Sequence, residues 1–190
     1  MLYRPVRERS VEKLVEVAKA SIENTGYEEI SLSSLSSSDY SHINELATRL
    51  TDELCDQRVS LSLPSLRVDK FVQDTLSQTQ RVKKSSLTFA PEAGTQRLRD
   101  VINKGVTEED LVNTLHHAFE NGWNGVKLYF MTGLPTETDE DLLGIAELAK
   151  VAAGAYYSVP KDKRVKGLRI TCSASVFVPK PFTPFQWCAQ

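Results

Sequence analysis

The chain has 190 residues, 41% of them hydrophobic, with 23 basic and 25 acidic side chains and a net charge of −2. That length suits one domain or part of a larger one, and the slightly acidic balance argues against a nucleic-acid-binding surface. No apolar run approaches the roughly 20 residues needed to span a bilayer, and the start, Met1-Leu2-Tyr3-Arg4-Pro5, lacks the apolar stretch of a signal peptide.

Helix and strand alternate along the chain, helix first. Ser10 is placed to cap a helix whose apolar positions Leu14, Val17, Ala18 and Ile22 share a face, and Gly26 stops it. A strand is predicted from Glu29 to Ser34. The next helix carries Ile43, Leu46, Ala47, Leu50 and Leu54 at helical spacing, and a second strand covers Val59 to Leu63. A short helix near Arg67 to Leu76 leads to a third strand, Ser86 to Ala90. Thr95 caps a helix predicted to end at Gly105. Thr107 begins another, with Glu108, Glu109 and Asp110 on its positive end and Leu111, Leu115, Ala118 and Phe119 as its buried stripe; Gly122 ends it. The fourth strand is Val126 to Met131. Thr138 and Asp141 resemble a capping box for a long helix to about Gly154, and the last strand is Leu168 to Val178. Repeated βα units predict a parallel sheet with right-handed crossovers.

The strands divide by period two. One face carries Ile30, Leu61, Leu87, Phe89, Val126, Leu128, Phe130, Ile170 and Val176. The other carries Ser31, Ser60, Ser62, Thr88, Lys127, Tyr129, Arg169, Thr171, Ser173 and Ser175. Parallel sheets are usually apolar on both faces, and burying so many unpartnered hydroxyls is costly. The pattern therefore predicts a curved sheet whose polar face lines an open, wet or ligand-filled cavity, with Ser60, Ser62, Thr88, Lys127, Tyr129 and Thr171 on that face as the candidate substrate cavity. For Lys127, a lysine that snorkels to solvent for purely structural reasons is the alternative.

Two loops carry the strongest local signals: Phe89 to Arg99, containing Glu92-Ala93-Gly94-Thr95, and Phe130 to Asp141, containing Gly133-Leu134-Pro135-Thr136-Glu137. Each follows an apolar strand and enters a helix. Each puts glycine, a carboxylate and hydroxyl caps at the strand's C-terminal end, where ligands bind in parallel α/β folds. Elsewhere the signals are bland. Arg81-Val82-Lys83-Lys84 and Lys161 to Lys166 read as solvated turns. Cys55, Cys172 and Cys188 are dispersed and odd in number, which reads as free thiols in a reducing cytoplasm and offers no metal motif. His116 and His117 read as packing or surface residues, and Trp123 and Trp187 as packing groups at turns.

The first helix has no strand before it, which suggests a fragment with a missing first strand. The edge at Glu29 to Ser34 is then unpaired and invites dimerisation. At this point the chain resembles the radical S-adenosylmethionine (SAM) superfamily. Gly133-Leu134-Pro135-Thr136-Glu137-Thr138-Asp139-Glu140-Asp141 is similar to that family's G-x-P-G-E-T-x-x-D loop, and Glu92-Ala93-Gly94-Thr95-Gln96-Arg97-Leu98 is similar to a Q-S-G-S-D-R-V stretch of its methylthiotransferases. The tail from Val178 to Phe185 resembles the last-strand exit of those relatives. Tyr3 to Ser10 looks like the sequence just after the cluster cysteines in a bacterial group of the superfamily. The resemblance implies an α/β fold, an open parallel (β/α) partial TIM-type barrel with five of six strands present and the first missing. It treats residues 1–190 as one partial-barrel domain. The hallmark CxxxCxxC is absent, so a [4Fe–4S] cluster is expected only in the full-length protein, bound upstream of Met1. Thr136 stands where relatives often have glycine.

The resemblance also assigns roles. The matching arginine, Arg97, grips the carboxylate of SAM, a task suited to a permanently charged, bidentate guanidinium; the alternative is a surface arginine paired with Asp100 or Glu92. Glu92 accepts from the SAM amino group or ribose, or positions Arg97, unless it is merely a solvated loop acid. Ser34, Ser36 and Asp39 stand where the family contacts the SAM amino group, although helix capping explains part of that pattern. Gly133 and Pro135 shape the backbone beside the adenine. Glu137 is a polar anchor or an N-terminal helix acid. Arg67 points toward cofactor or substrate, or pairs with Asp69 or Asp74. The implied protein cleaves SAM with the cluster to start radical chemistry on an unknown substrate, and this fragment alone is expected to be inactive. The competing expectations are a degenerate partial barrel serving as a binding or regulatory module, and an unrelated barrel fragment binding phosphate at the Gly133 loop. The acids Glu137, Asp139, Glu140 and Asp141 oppose the last of these.

Overall fold

The computed structural model describes residues 7–33, 40–62 and 87–189, without the side chains of Cys55 and Ser62. They fall into two compact units, one on each side of residue 86.

The N-terminal unit is a helix pair beside a short parallel strand pair. Helix α1, Val11–Thr25, starts where the Ser10 hydroxyl accepts the Lys13 N–H at 3.3 Å and stops at Gly26, whose φ is 70°. It buries Val11, Val15, Ala18 and Ile22, a 4-3-4 spacing, against Leu46, Ala47, Leu50 and Leu54 of helix α2, Ile43–Leu54. The expected stripe was set too far round the helix: Leu14 is only partly buried, and Val17 is 46% exposed. Packing on a second helix selects the narrower seam. Strands β1, Glu29–Ser31, and β2, Ser60–Ser62, pair in parallel with Ile30 opposite Leu61. Both are shorter than expected.

In the C-terminal unit, strands β3, Leu87–Glu92, β4, Gly125–Thr132, and β5, Arg169–Val176, form a parallel sheet in that order. Helices α3, Gln96–Val101, and α4, Glu108–Glu120, link β3 to β4, and helix α5, Asp139–Ser158, links β4 to β5. Crossovers between parallel strands are right-handed as a rule, which puts both long helices on one face, where they pack on each other. Burial agrees: Leu87, Phe89, Val126, Leu128 and Phe130 are buried, while the alternate positions Thr88 and Lys127 are half-buried and Tyr129 is exposed. α4 buries Leu111, Leu115, Ala118 and Phe119, and Phe119 meets Tyr156 of α5 edge-on at 5.3 Å between centroids.

Two helix ends differ from the sequence reading. α3 ends at Val101 rather than Gly105, because Asn103 takes the left-handed turn (φ 54°) and the Lys104 N–H closes on the Arg99 carbonyl at 2.8 Å; asparagine tolerates that conformation better than most residues. α5 passes through Gly154 to Ser158, since the next turn still buries Ala155 and Tyr156. The architecture is mixed α/β with parallel strand pairs. Among the described residues the strands form one sheet of two and one of three, with no pairing between β2 and β3. No described helix is long and apolar enough to cross a membrane.

Candidate functional site

The site is built at the C-terminal ends of β3 and β4. β3 finishes on a bulge, with its register slipping between Phe89 and Glu92. Glu92 itself has a φ of 70°, a left-handed conformation costly for a residue with a Cβ. Its carboxylate pairs with Lys104 at 3.2 Å, and both side chains are half-buried. Ala93 follows, buried, and then Gly94. A Cβ on Gly94 would overlap the backbone of Asp141, Gly144 and Ile145, so this glycine lets α5 lie directly on the β3 loop. Gly144 is its counterpart on the helix, facing Gly94 and the Thr95 methyl.

The β4 exit is a second tight loop. Gly133 has a φ of 77°, and its N–H donates to the Glu137 carboxylate at 2.7 Å. The Glu137 N–H returns to the Leu134 carbonyl at 3.0 Å, and Leu134 is buried. Glu137 therefore closes its own loop around Pro135. Thr136 adopts a φ of 68°, so the position where relatives often have glycine does take a left-handed conformation, here with a β-branched residue.

Asp141 joins the two loops. Its side chain is 2% exposed, and the carboxylate accepts from the Thr95 hydroxyl, from Arg97 Nη2, from the Thr138 N–H at 2.8 Å and from the Thr138 hydroxyl at 2.9 Å. Burial by itself would raise the pKa. The hydrogen bonds from Thr95, Arg97 and Thr138 outweigh it and hold the group well below the usual carboxylate range. Arg97 also donates to the Thr136 carbonyl at 2.8 Å and the Thr136 hydroxyl at 3.3 Å. Neither Asp100 nor Glu92 is its partner: Gln96 holds Asp100 at 2.8 Å, and Lys104 holds Glu92. With 49% of its side chain exposed, the guanidinium still presents an open side.

Arg99 was missed by the sequence reading. It is 2% exposed and donates to the carbonyls of Ala93 at 3.1 Å, Gly94 at 3.2 Å and Val106 at 3.0 Å, and to the Gln96 side chain at 3.1 Å. Burial depresses its pKa. Carbonyl dipoles rather than a carboxylate meet its charge, and the Glu92-Ala93-Gly94 turn is fixed by that contact. In sequence it looks like an ordinary helix-surface arginine.

The remaining candidates are distributed as follows. Thr88, Lys127 and Thr171 are register partners across β3, β4 and β5, with Tyr129 beside Ser173 one step along. Ser60 is buried in the N-terminal unit, where its hydroxyl bonds the Glu28 carbonyl at 3.2 Å and is not free to line a cavity. Ser34, Ser36, Asp39 and Arg67, the side chain of Ser62 and the expected helix near Arg67 lie outside the described residues. Trp123 is buried, but Trp187 is 89% exposed and is not a packing group. His116 and His117 are half-buried beside Glu120. Cys172 is exposed on β5, and among the described residues no group of His, Cys, Asp and Glu is arranged to hold a metal.

Residues 1–149 match the family described as the Radical SAM superfamily, and the chain belongs to it. An uncharacterized protein of Methanocaldococcus jannaschii, MJ0966, is 35% identical over 185 residues, a match covering 97% of this chain and 38% of that protein. The chain thus spans well under half the length of that relative.

Proposed function

We propose that this chain forms the SAM-binding and substrate-facing part of a radical SAM enzyme. The observation that supports it best is the union of the Glu92 and Gly133 loops at the strand ends, through Asp141, with the open side of Arg97 left free. A half-exposed guanidinium and a nearby strand-tip carboxylate are a suitable donor and acceptor set for the two ends of an amino acid. In this reading Arg97 takes the SAM carboxylate and Glu92 its amino group or ribose. The Gly133–Pro135 backbone lies along the adenine. The cofactor-contact roles that the resemblance gives Ser34, Ser36, Asp39 and Arg67 remain part of this proposal, and Glu137 acts by holding its own loop closed. SAM held there would supply radical chemistry: one electron from the [4Fe–4S] cluster expected in the longer protein would break its C5′–S bond, releasing methionine and a 5′-deoxyadenosyl radical able to take a hydrogen atom from the substrate. The protein's own part is to bind and orient SAM and to keep water and quenchers from the reacting carbon.

The described residues do not fit a [4Fe–4S] cluster, because three convergent thiolates are lacking among them. We assign those thiolates to another part of a longer protein. The 190-residue chain is then expected to bind SAM weakly and to be inactive alone. Titrating it with SAM should shift the amide resonances of Gly133, Leu134 and Glu137 saturably. In the longer protein, Arg97→Ala should weaken SAM binding by about 1.5–3 kcal/mol, the scale of a charge-assisted hydrogen bond. Unchanged affinity would remove Arg97 from the site, and no shift at the Gly133 loop would overturn the SAM reading.

A further inference from the structure

The face of the β3–β4–β5 sheet opposite the buried Leu128 and Phe130 carries a feature that the strand-tip loops do not use. Lys127 is the third residue of the central strand, half-buried, with its ammonium 4.7 Å from the centre of the Tyr129 ring. Register puts Thr88 on one side of it and Thr171 on the other. The next cation on the same face is Arg169, opposite Gly125, one step nearer the strand starts. Among the described residues neither Lys127 nor Arg169 has a carboxylate partner. The acid at the far end of β3, Glu92, lies beyond the register slip, opposite Phe130, and is already paired with Lys104. Among the described residues the hydroxyls of Thr88, Thr171 and Ser173 likewise have no protein partner.

A lysine on the central strand of a sheet is uncommon, because a partly desolvated ammonium needs a counter-charge. The aromatic face of Tyr129 supplies part of that charge. Among the described residues the rest is missing, while flanking hydroxyls are placed to donate and a second cation adds positive potential. We infer that Lys127, flanked by Thr88 and Thr171, anchors an anionic group of the substrate, a carboxylate or a phosphate. This deepens the reading above and rests on it in taking this face as the substrate side.

The test uses the 190-residue chain, titrated separately with inorganic phosphate and with succinate at constant ionic strength and followed by amide resonances. Saturable shifts centred on Thr88, Lys127 and Thr171 are expected, and the anion that saturates first identifies the group. Lys127→Gln should weaken that binding at least tenfold, and Thr171→Val severalfold. Thr171→Val also serves if Lys127→Gln fails to fold. Shifts that do not saturate, that spread equally over the loop lysines Lys161 and Lys163, or that survive both substitutions would overturn the inference. The SAM titration keeps the two readings separable. SAM shifts at Gly133 without anion shifts at Lys127 sink the substrate anchor alone. Anion shifts without SAM binding leave an anion site on a protein whose proposed function is wrong.

Discussion

In the N-terminal unit, α1 and α2 meet through an apolar seam, and their charged groups stay at the surface: Lys13 with Glu16, Arg49 with Glu12, and Lys19 with Glu53. In the C-terminal unit, Asp141 of α5 and Arg99 of α3 are each 2% exposed, and both bond to the segment that leads from β3 into α3. The same unit holds Glu92 and Thr136 in left-handed conformations and a close helix–loop approach, Gly94 on Gly144. An apolar seam of the first kind stabilises with little geometric demand. Buried hydrogen-bonded charge adds less net stability per group but fixes geometry tightly, because every unmet donor or acceptor is costly. The contrast marks where geometry is held most tightly. The described helices of the first unit meet through an apolar seam, and the second unit sets backbone positions to within a hydrogen bond.

The most severe way to break this contrast is Gly94→Ala. One methyl there meets the α5 backbone at Asp141, Gly144 and Ile145, not a side chain that can turn aside. A loss of about 3 kcal/mol or more is expected, at the upper end for overpacking. Hydrogen exchange should show it as lost protection in α5 with α1 unaffected. If α5 keeps its protection, the two loops are not locked together as described.

Asp141→Ala should rank next, at about 2–3 kcal/mol, since hydrogen bonds to a buried charge and the carboxylate half of a capping box are lost together. The cost stays below that of a fully buried ion pair because Arg97, 49% exposed, can return to water. Acid should act on the same group. The folded-state pKa of Asp141 is depressed, so its stabilisation is fully present above the unfolded carboxylate value, about 4, and is withdrawn as pH falls below that toward the lower folded value. The stability difference between the wild-type chain and Asp141→Ala should therefore narrow below about pH 4. A difference that stays constant into strong acid would mean that Asp141 acts through packing and not through charge.

Much of this was legible from local pattern. Ser10, Thr95 and Thr107 cap the helices expected of them, and alternation in β3 and β4 separates buried Phe89 and Leu128 from Thr88 and Lys127. Those signals repeat over a turn or a pleat, so the chain carries them within a few residues. What failed depends on partners far along the chain. Asp141 could be read as a cap for its own helix, but Thr95 and Arg97 lie 46 and 44 residues away from it. Arg99 has a surface residue's chemistry and a core residue's place, known only once the Ala93 and Val106 carbonyls surround it. A glycine in the first turns of α5 was the overlooked clue: Gly144 weakens a helix, and the close approach of Gly94 is its reason.

The smallest effect sharpens the comparison by reversing its sign. Thr136 holds a φ of 68° while its carbonyl and hydroxyl accept from Arg97 at 2.8 and 3.3 Å. A β-branched side chain in that region costs about 1–2 kcal/mol relative to glycine. Thr136→Gly removes the longer hydrogen bond, worth roughly 0.5 kcal/mol at an exposed site, and keeps the carbonyl that Arg97 uses. Some of the relief is offset because glycine has more conformational freedom to lose on folding. A net stabilisation of up to about 1 kcal/mol is expected, read as a higher denaturation midpoint with unchanged shifts at Gly133. Thr136→Ala should do the opposite, losing the hydroxyl contact while keeping a Cβ in the strained conformation. If glycine proves destabilising instead, the hydroxyl is the stronger tie, and the loop is held by its side chain more than by Arg97's grip on the backbone.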